Sequence, residues 1–493
     1  MFERLTRRGF GRLLGGSAAA AYLAGGVRLA EAAGRGAQEG GAEAVSGREF
    51  PQGFLWGSAT ASYQVEGAVK EGGRGVSIWD TFSHTPGKTH NGDTGDVADD
   101  FYHRYPADIA LMKEIGLKSF RFSVAWSRIF PKGMGQPNQQ GADFYKRLVE
   151  ALLAAGIEPF CTLYHWDLPQ ALQDKGGWEN RATAQAFADY AGYTAGQLAG
   201  SGVRHFMTMN EIRTFVDLGY NQGTHAPGLK LSAKRVAQLN HYVVLAHGMG
   251  VQAVRAHTPS GTKVGIADNI EATVPVYSSA EHVAAAHKAM REENAQYLTV
   301  IQEGRYTDLY LKRLGADAPV FTVEEMKTIS SPMDFTGINI YQPTYVRADE
   351  SEAGYAVVPW PESYPRMYSP WIYVGPEALY WGPRLVHDLW KAPEIYITEN
   401  GTSSADTIDA RGRIEDTDRV MYLRNYLAQL QHAVSEGVPV KGYFLWSLLD
   451  NYEWADGYEK RFGIVYVDFK TEKRTPKLSA AFYKDVISRN RVS

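Results

Sequence analysis

The chain has a single cysteine, Cys161, so no disulfide can form within it even in an oxidising compartment. There is no H-E-x-x-H, and the 13 histidines are scattered rather than spaced as ligands, so no metal site is implied. G-x-S-x-G is absent as well, which removes the nucleophile turn of the serine hydrolases. The "GGRG" at Gly72 has the wrong spacing for a dinucleotide loop and precedes no clear helix, so no cofactor follows from it. The charges nearly balance, with 51 Lys and Arg against 55 Asp and Glu for a net charge of -4, and no basic block follows the N-terminus. That argues against nucleic acid as a partner. No apolar stretch reaches the roughly 20 residues a helix needs to cross a bilayer, so no stable membrane insertion of the mature protein is expected. What is present is globular material: 493 residues, 44% hydrophobic and 12% aromatic, enough for one or two domains.

The first 32 residues read as an address. Arg7 and Arg8 precede a mild Leu/Gly/Ala stretch from Leu13 to about Ala24, and Ala30-Glu31-Ala32 offers a cleavage site. This resembles a twin-arginine export signal, and it predicts an encounter with export machinery and a periplasmic or secreted product. Cleavage after Ala32 would remove five arginines and two glutamates, taking the net charge from -4 to -7. Residues 33–48 read as a flexible linker rich in Gly, Ala and Glu. The folded domain is expected over residues 49–488.

Within it one pattern recurs. "DIALMKEIGLKSFRFS", from Asp108, places Ile109, Met112 and Ile115 at helical spacing, then Gly116 as a C-terminal cap, then an alternating strand through Phe120 and Phe122. The same helix-glycine-strand order returns at Gly156, Gly202 and Gly437. With strands at Phe54, Val264, Asp334 and Glu394, eight can be counted, and the class is α/β with a parallel sheet. An eight-stranded (β/α)8 TIM barrel with long loop insertions fits best; a doubly wound sheet is the alternative. The acidic "DTGDVADD" from Asp93 lacks calcium-loop spacing and is expected to cap the helix that follows.

In such barrels chemistry sits where strands end. The strand ends here carry Arg121, His165 and Trp166, Asn210 and Glu211, Asn339 and Tyr341, Glu399, and Trp446. Each alone reads as packing or a solvated charge, but the set gathers polar and aromatic groups at one rim. Two glutamates across a barrel mouth suit glycoside hydrolysis, and carboxyls about 5 to 5.5 Å apart would make it retaining.

Eight segments then carry a specific likeness. They are "FLWGSATASYQVEGA" (54–68), "GDTGDVADDFYHRY" (92–105), "KSFRFSVAWSRI" (118–129), "CTLYHWDLPQAL" (161–172), "MTMNE" (207–211), "GINIY" (337–341), "YITENG" (396–401) and "WSLLDNYEWADGYEKRFGIVYVD" (446–468). In that order, over about residues 50 to 485, they resemble the signature blocks of glycoside hydrolase family one, the β-glucosidase family. The resemblance implies Glu399 as nucleophile and Glu211 as general acid/base, with Arg121 and the Tyr341 hydroxyl holding Glu399 as an anion. It implies that Gln64, His165, Glu453 and Trp454 bind sugar hydroxyls, that Asn210 meets the 2-hydroxyl, and that Trp446 forms the floor under the ring. Trp166, Asn339 and Phe462 complete the set. It implies a small-molecule β-glycoside or oligosaccharide substrate and no cofactor.

A carboxylate at Glu453 disfavours 6-phosphorylated sugars. The chain departs from the pattern at Ile212 and Arg213, where the family usually has proline after the acid/base and a nearby tryptophan. The aromatics between Ala348 and Trp381 follow the family loosely, and read either as a platform for the leaving group or as packing over the rim. A transglycosidase would use the same residues, whereas a non-catalytic carbohydrate-binding relative would normally have lost one of the two glutamates.

Overall fold

The helix-glycine-strand units fold as their pattern predicts, and the glycines show why. Helix Phe101–Ile115 ends at Gly116, whose φ of 94° is left-handed, with its N–H bonded to the carbonyls of Met112 and Lys113. Gly202 closes helix Ala182–Ser201 in the same way at φ 117°. A side chain at either position would meet the steric cost of left-handed backbone, and each reversal sends the chain straight into a strand. The computed structural model describes residues 49–492. The export signal read over 1–32 and the linker read over 33–48 lie outside the described residues.

Eight parallel strands close into a barrel: β1 Leu55–Ala59, β2 Ser119–Ser123, β3 Glu158–Tyr164, β4 His205–Asn210, β5 Lys263–Asn269, β6 Phe335–Asn339, β7 Ile395–Asn400 and β8 Val440–Trp446. They follow one another around the ring, and β1 pairs with both β8 and β2. The fold is therefore a (β/α)8 TIM barrel, and the doubly wound sheet is excluded. A two-stranded and a three-stranded sheet lie outside it. The last helix runs to Arg489, and Arg491 bridges back to Glu49, so ordered structure continues past residue 488.

Two cores follow from the alternation of the strands. Ile395 and Ile397 face the helices, whereas Tyr396 joins Phe160, Met207, Phe335 and Phe444 inside the barrel. Glycines make room for these large interior rings: a Cβ at Gly57 would stand 2.7 Å from the Phe444 ring, and one at Gly265 would stand 2.8 Å from that of Phe335.

The acidic run at Asp93 departs from expectation. It does not cap the following helix by a side chain: Asp100, at the N-cap, has left-handed backbone and makes no cap bond. Its carboxylate instead accepts from His103 at 2.6 Å and Arg104 at 2.9 Å, charged or ring donors that out-compete the backbone amides.

Candidate active site

Strand parity explains how a core strand comes to end in a charge. Tyr396 points into the barrel, so strict alternation would send Glu399, three residues on, outward among the helices. The pairing of β7 shifts register between Ile397 and Glu399, a β-bulge, and both Thr398 and Glu399 then face inward. β4 uses the same device: Met207 is interior, the register shifts between Met207 and Asn210, and Asn210 reaches the barrel mouth.

Glu399 is held by two donors. Arg121 Nη1 lies 2.6 Å from one carboxylate oxygen and the Tyr341 hydroxyl 2.8 Å from the other. Arg121 is fully buried and also donates to Thr162 Oγ1 (2.9 Å), the Thr398 carbonyl (3.1 Å) and Asn210 Oδ1 (2.6 Å). A buried guanidinium so bonded is fixed in place, and removing its carboxylate would leave an uncompensated charge. Burial first, and then the Glu399 charge, raise the Tyr341 pKa, so its hydroxyl stays a donor.

Glu211 sits in the opposite environment. Its carboxyl is pushed up to about 8, mainly by burial and next by the charge of Glu399, with hydrogen bonds from Asn339 and Thr214 offsetting part of the rise. Asn339 Nδ2 donates to Glu211 Oε1 (2.8 Å) and to Asn210 Oδ1 (3.0 Å). One chain of bonds thus runs from Glu211 through Asn339, Asn210 and Arg121 to Glu399. Asn210 Nδ2 also donates to His165 Nε2 at 3.0 Å, which leaves the imidazole proton on Nδ1, an atom with no partner. Burial, and then Arg121, push the His165 pKa well down, so the ring is neutral.

A cavity of about 560 Å³ opens over this pair. It is lined by His165, Trp166, Asn210, Glu211, Asn339, Tyr341, Glu399, Trp446, Glu453, Trp454 and Phe462, all anticipated from the sequence. Trp166, Glu211 and Trp454 reach it from left-handed backbone, with φ of 76°, 48° and 51°, a conformation held at a cost of order 1 kcal/mol or more each and typical of functional sites. Trp446 and Phe462 belong to the interior cluster and close the cavity floor.

Two anticipated residues do not line the cavity. Arg121 lies behind Glu399, and Gln64 lies behind Glu453, its Nε2 bonded to Asn451 Oδ1 (3.1 Å), the Tyr452 carbonyl (2.9 Å) and Glu453 Oε2 (3.2 Å) while its Oε1 has no partner. Burial raises the Glu453 pKa well up, with Asp456 and then Glu399 adding to it.

The outer wall adds residues the sequence reading did not single out, among them Asp217, Asn269, Glu271, Gln342 and Asp456. Glu271 and Gln342 sit in irregular loops, and Asp217 and Asp456 in single helical turns, too short for a periodicity to mark them; Asn269 alone had a signal, as the last residue of β5 with interior parity. The aromatic segment splits between its two readings. Trp371, 46% exposed, lines the cavity, whereas Trp360 stacks on Tyr373 at 4.4 Å and packs against Tyr345 and Tyr364 away from it.

A closed parallel barrel whose C-terminal rim carries one glutamate paired with a buried arginine and a second favoured as an acid defines the two-carboxylate glycosidases as a class. Comparison with known proteins carries this further: residues 46–492 match glycosyl hydrolase family 1, and the chain belongs to that family. It is 46% identical over 446 residues to a β-glucosidase A of Acetivibrio thermocellus, covering 90% of this chain and 98% of the relative. It is 41% identical over 463 residues to a bifunctional β-D-glucosidase/β-D-fucosidase of Bifidobacterium breve, covering 89% and 98%. Among solved structures, the β-glucosidase from Thermotoga maritima in complex with castanospermine superposes with a TM-score of 0.83 at 41% identity, covering 90% of this chain and all of that one.

Proposed function

We propose that this chain is a retaining, exo-acting β-glycosidase that hydrolyses terminal non-reducing β-D-glucosyl residues, with tolerance for β-fucosyl or β-galactosyl groups. One observation carries the assignment of roles: Arg121 and Tyr341 hold Glu399 as an anion while burial favours the acid form of Glu211. Glu399 attacks the anomeric carbon as Glu211 passes its proton to the departing oxygen, so the glycosidic bond breaks and a glycosyl ester forms. The Glu399 charge is then gone, the Glu211 pKa falls, and the same carboxylate takes a proton from water. Water adds to the anomeric carbon, the ester bond breaks, and the sugar leaves with its β configuration. His165, Asn210, Glu453 and Trp454 bind the sugar hydroxyls over Trp446. The names of the relatives support a glucoside, and that of the Bifidobacterium enzyme supports fucoside tolerance.

Glu399→Gly should abolish turnover of an aryl β-glucoside, and azide or formate should restore part of it from the vacated space. Absence of rescue, or α-glucose as the first product seen by proton NMR, would overturn the assignment. The paired arginines Arg7 and Arg8 support export after folding, to the periplasm or beyond. Replacing both with lysine should leave the full-length precursor in the cytoplasm; unchanged export would remove that reading.

A further inference from the structure

The two glutamates and Glu453 aside, the lining of the cavity carries an excess of one charge. Asp217, Glu271 and Asp456 line it, against one permanent cation, Arg213. Arg213 is engaged within the protein. Its Nη2 donates to the Glu293 carbonyl (2.9 Å) and to Asn294 Oδ1 (3.0 Å), its Nη1 lies 3.4 Å from Glu271, and the guanidinium sits 5.0 Å over the Tyr297 ring. Its charge is therefore matched by that of Glu271.

Asp217 and Asp456 have no such match. Asp217 accepts from Asn221 Nδ2 (2.7 Å) and Gln222 Nε2 (2.6 Å), neutral amides that orient the carboxylate without cancelling it. Among the described residues neither Asp217 nor Asp456 forms an ion pair. Burial raises the Asp456 pKa, with the field of Lys460 offsetting part of the rise, and Lys460 is itself paired with Glu459 at 3.0 Å. Burial lowers the pKa of both cavity histidines, His165 well down and His225 to about 4, so neither supplies positive charge at neutral pH. The wall is left with an excess of negative charge, and Glu399 below it, already matched by Arg121, does not cancel that excess. A concave wall of one sign concentrates its field on whatever occupies it, and a like charge placed there is repelled. Hydroxyl groups, by contrast, find partners: Gln342 lines the same wall, as does Asn269, whose Oδ1 is unpartnered.

We propose that the outer half of the cavity selects the leaving group by charge, admitting neutral or cationic hydroxylated groups and turning away anionic ones, with Asp217 and Asp456 as the specificity-determining residues. This rests on the glycosidase reading above. It predicts that glycosides of sugars and amino-polyols are substrates and that those of uronic, aldonic or sulfated groups are poor ones.

The test is a series in which only charge changes: β-1,4-glucosyl sorbitol and its two analogues carrying a carboxylate or an aminomethyl group in place of the C1 hydroxymethyl. The glycone and the departing oxygen are the same in all three. At low salt, kcat/KM for the carboxylate should be about tenfold below that of the neutral compound, and the ammonium compound should equal or exceed it. The gap should narrow with added salt and in Asp217→Asn and Asp456→Asn. Equal kcat/KM for all three, or a gap untouched by salt and by both substitutions, overturns the proposal. So does failure of all three compounds alongside rapid cleavage of an aryl β-glucoside. Loss of every activity, the aryl glucoside included, would instead count against the glycosidase reading. Calorimetric binding of the series to Glu211→Gln reads the same order without turnover, and equal affinities there would also overturn it.

Discussion

Replacing Glu399 with glutamine should lower the pKa of Glu211, because part of what raises it is the neighbouring charge. In the intact site Glu211 titrates near 8, first through burial and second through repulsion by Glu399. For carboxyls about 5 to 5.5 Å apart at an effective dielectric of about 20, that repulsion is about 3 kcal/mol, roughly two pKa units. Glutamine removes it and also frees Arg121 of its anionic partner, and the guanidinium then favours the Glu211 anion more strongly. Burial, the larger cause, is unchanged, so the midpoint should fall by about two units, to roughly 6, and stay above that of free glutamate. Carbon NMR of side-chain-labelled glutamate follows the titration, with the resonance assigned by its loss in Glu211→Gln. A midpoint that stays near 8 would refute the reasoning, since glycosylation of Glu399 could not then turn the acid into a base.

Three further outcomes are expected. Glu211 has a folded pKa above its unfolded value of 4.5, so its contribution to stability is fully present below about pH 4.5 and is lost as pH rises through 8. Glu211→Gln should therefore gain stability relative to the parent between pH 5 and 9, by at most about 5 kcal/mol; a pH-independent difference in urea unfolding would contradict this. Tyr341→Phe removes the 2.8 Å bond to Glu399 and should cut kcat/KM for an aryl β-glucoside by about 10- to 100-fold, whereas a loss under twofold would discount that bond. Gly57→Ala places a Cβ 2.5 Å from Ser119 Oγ and 2.7 Å from the Phe444 ring, and should destabilise the fold by about 1 to 3 kcal/mol, read as a lower Tm; an unchanged Tm would show that the interior relaxes freely.

Much of this protein was legible along the chain because its information is local. Helical spacing at Ile109, Met112 and Ile115, the glycine that must turn left-handed at 116, and the alternation through Phe120 and Phe122 are all set within a few residues. So are the eight strands, and with them the barrel and the rim on which Arg121, Glu211 and Glu399 stand. The likeness of eight short segments to one family named the same residues.

Other features depended on residues far apart in sequence. Alternation alone would have turned Glu399 and Asn210 away from the mouth; the bulges in β7 and β4 turn them in, and a bulge exists only against a neighbouring strand. Gln64 carries a polar amide that the fold spends on Asn451, Tyr452 and Glu453 behind the cavity wall. Trp371 and Trp360 look alike in sequence, yet only one faces the cavity. The helix-cap reading of the acidic run failed because His103 and Arg104 claimed the Asp100 carboxylate. The sequence by itself determined the elements, their order and the identity of the two glutamates. Tertiary structure decided how the two differ, because a carboxyl takes its pKa from burial and from neighbours far along the chain: burial and the nearby Glu399 charge raise the Glu211 pKa, while Arg121, from another strand of the barrel, pairs with Glu399.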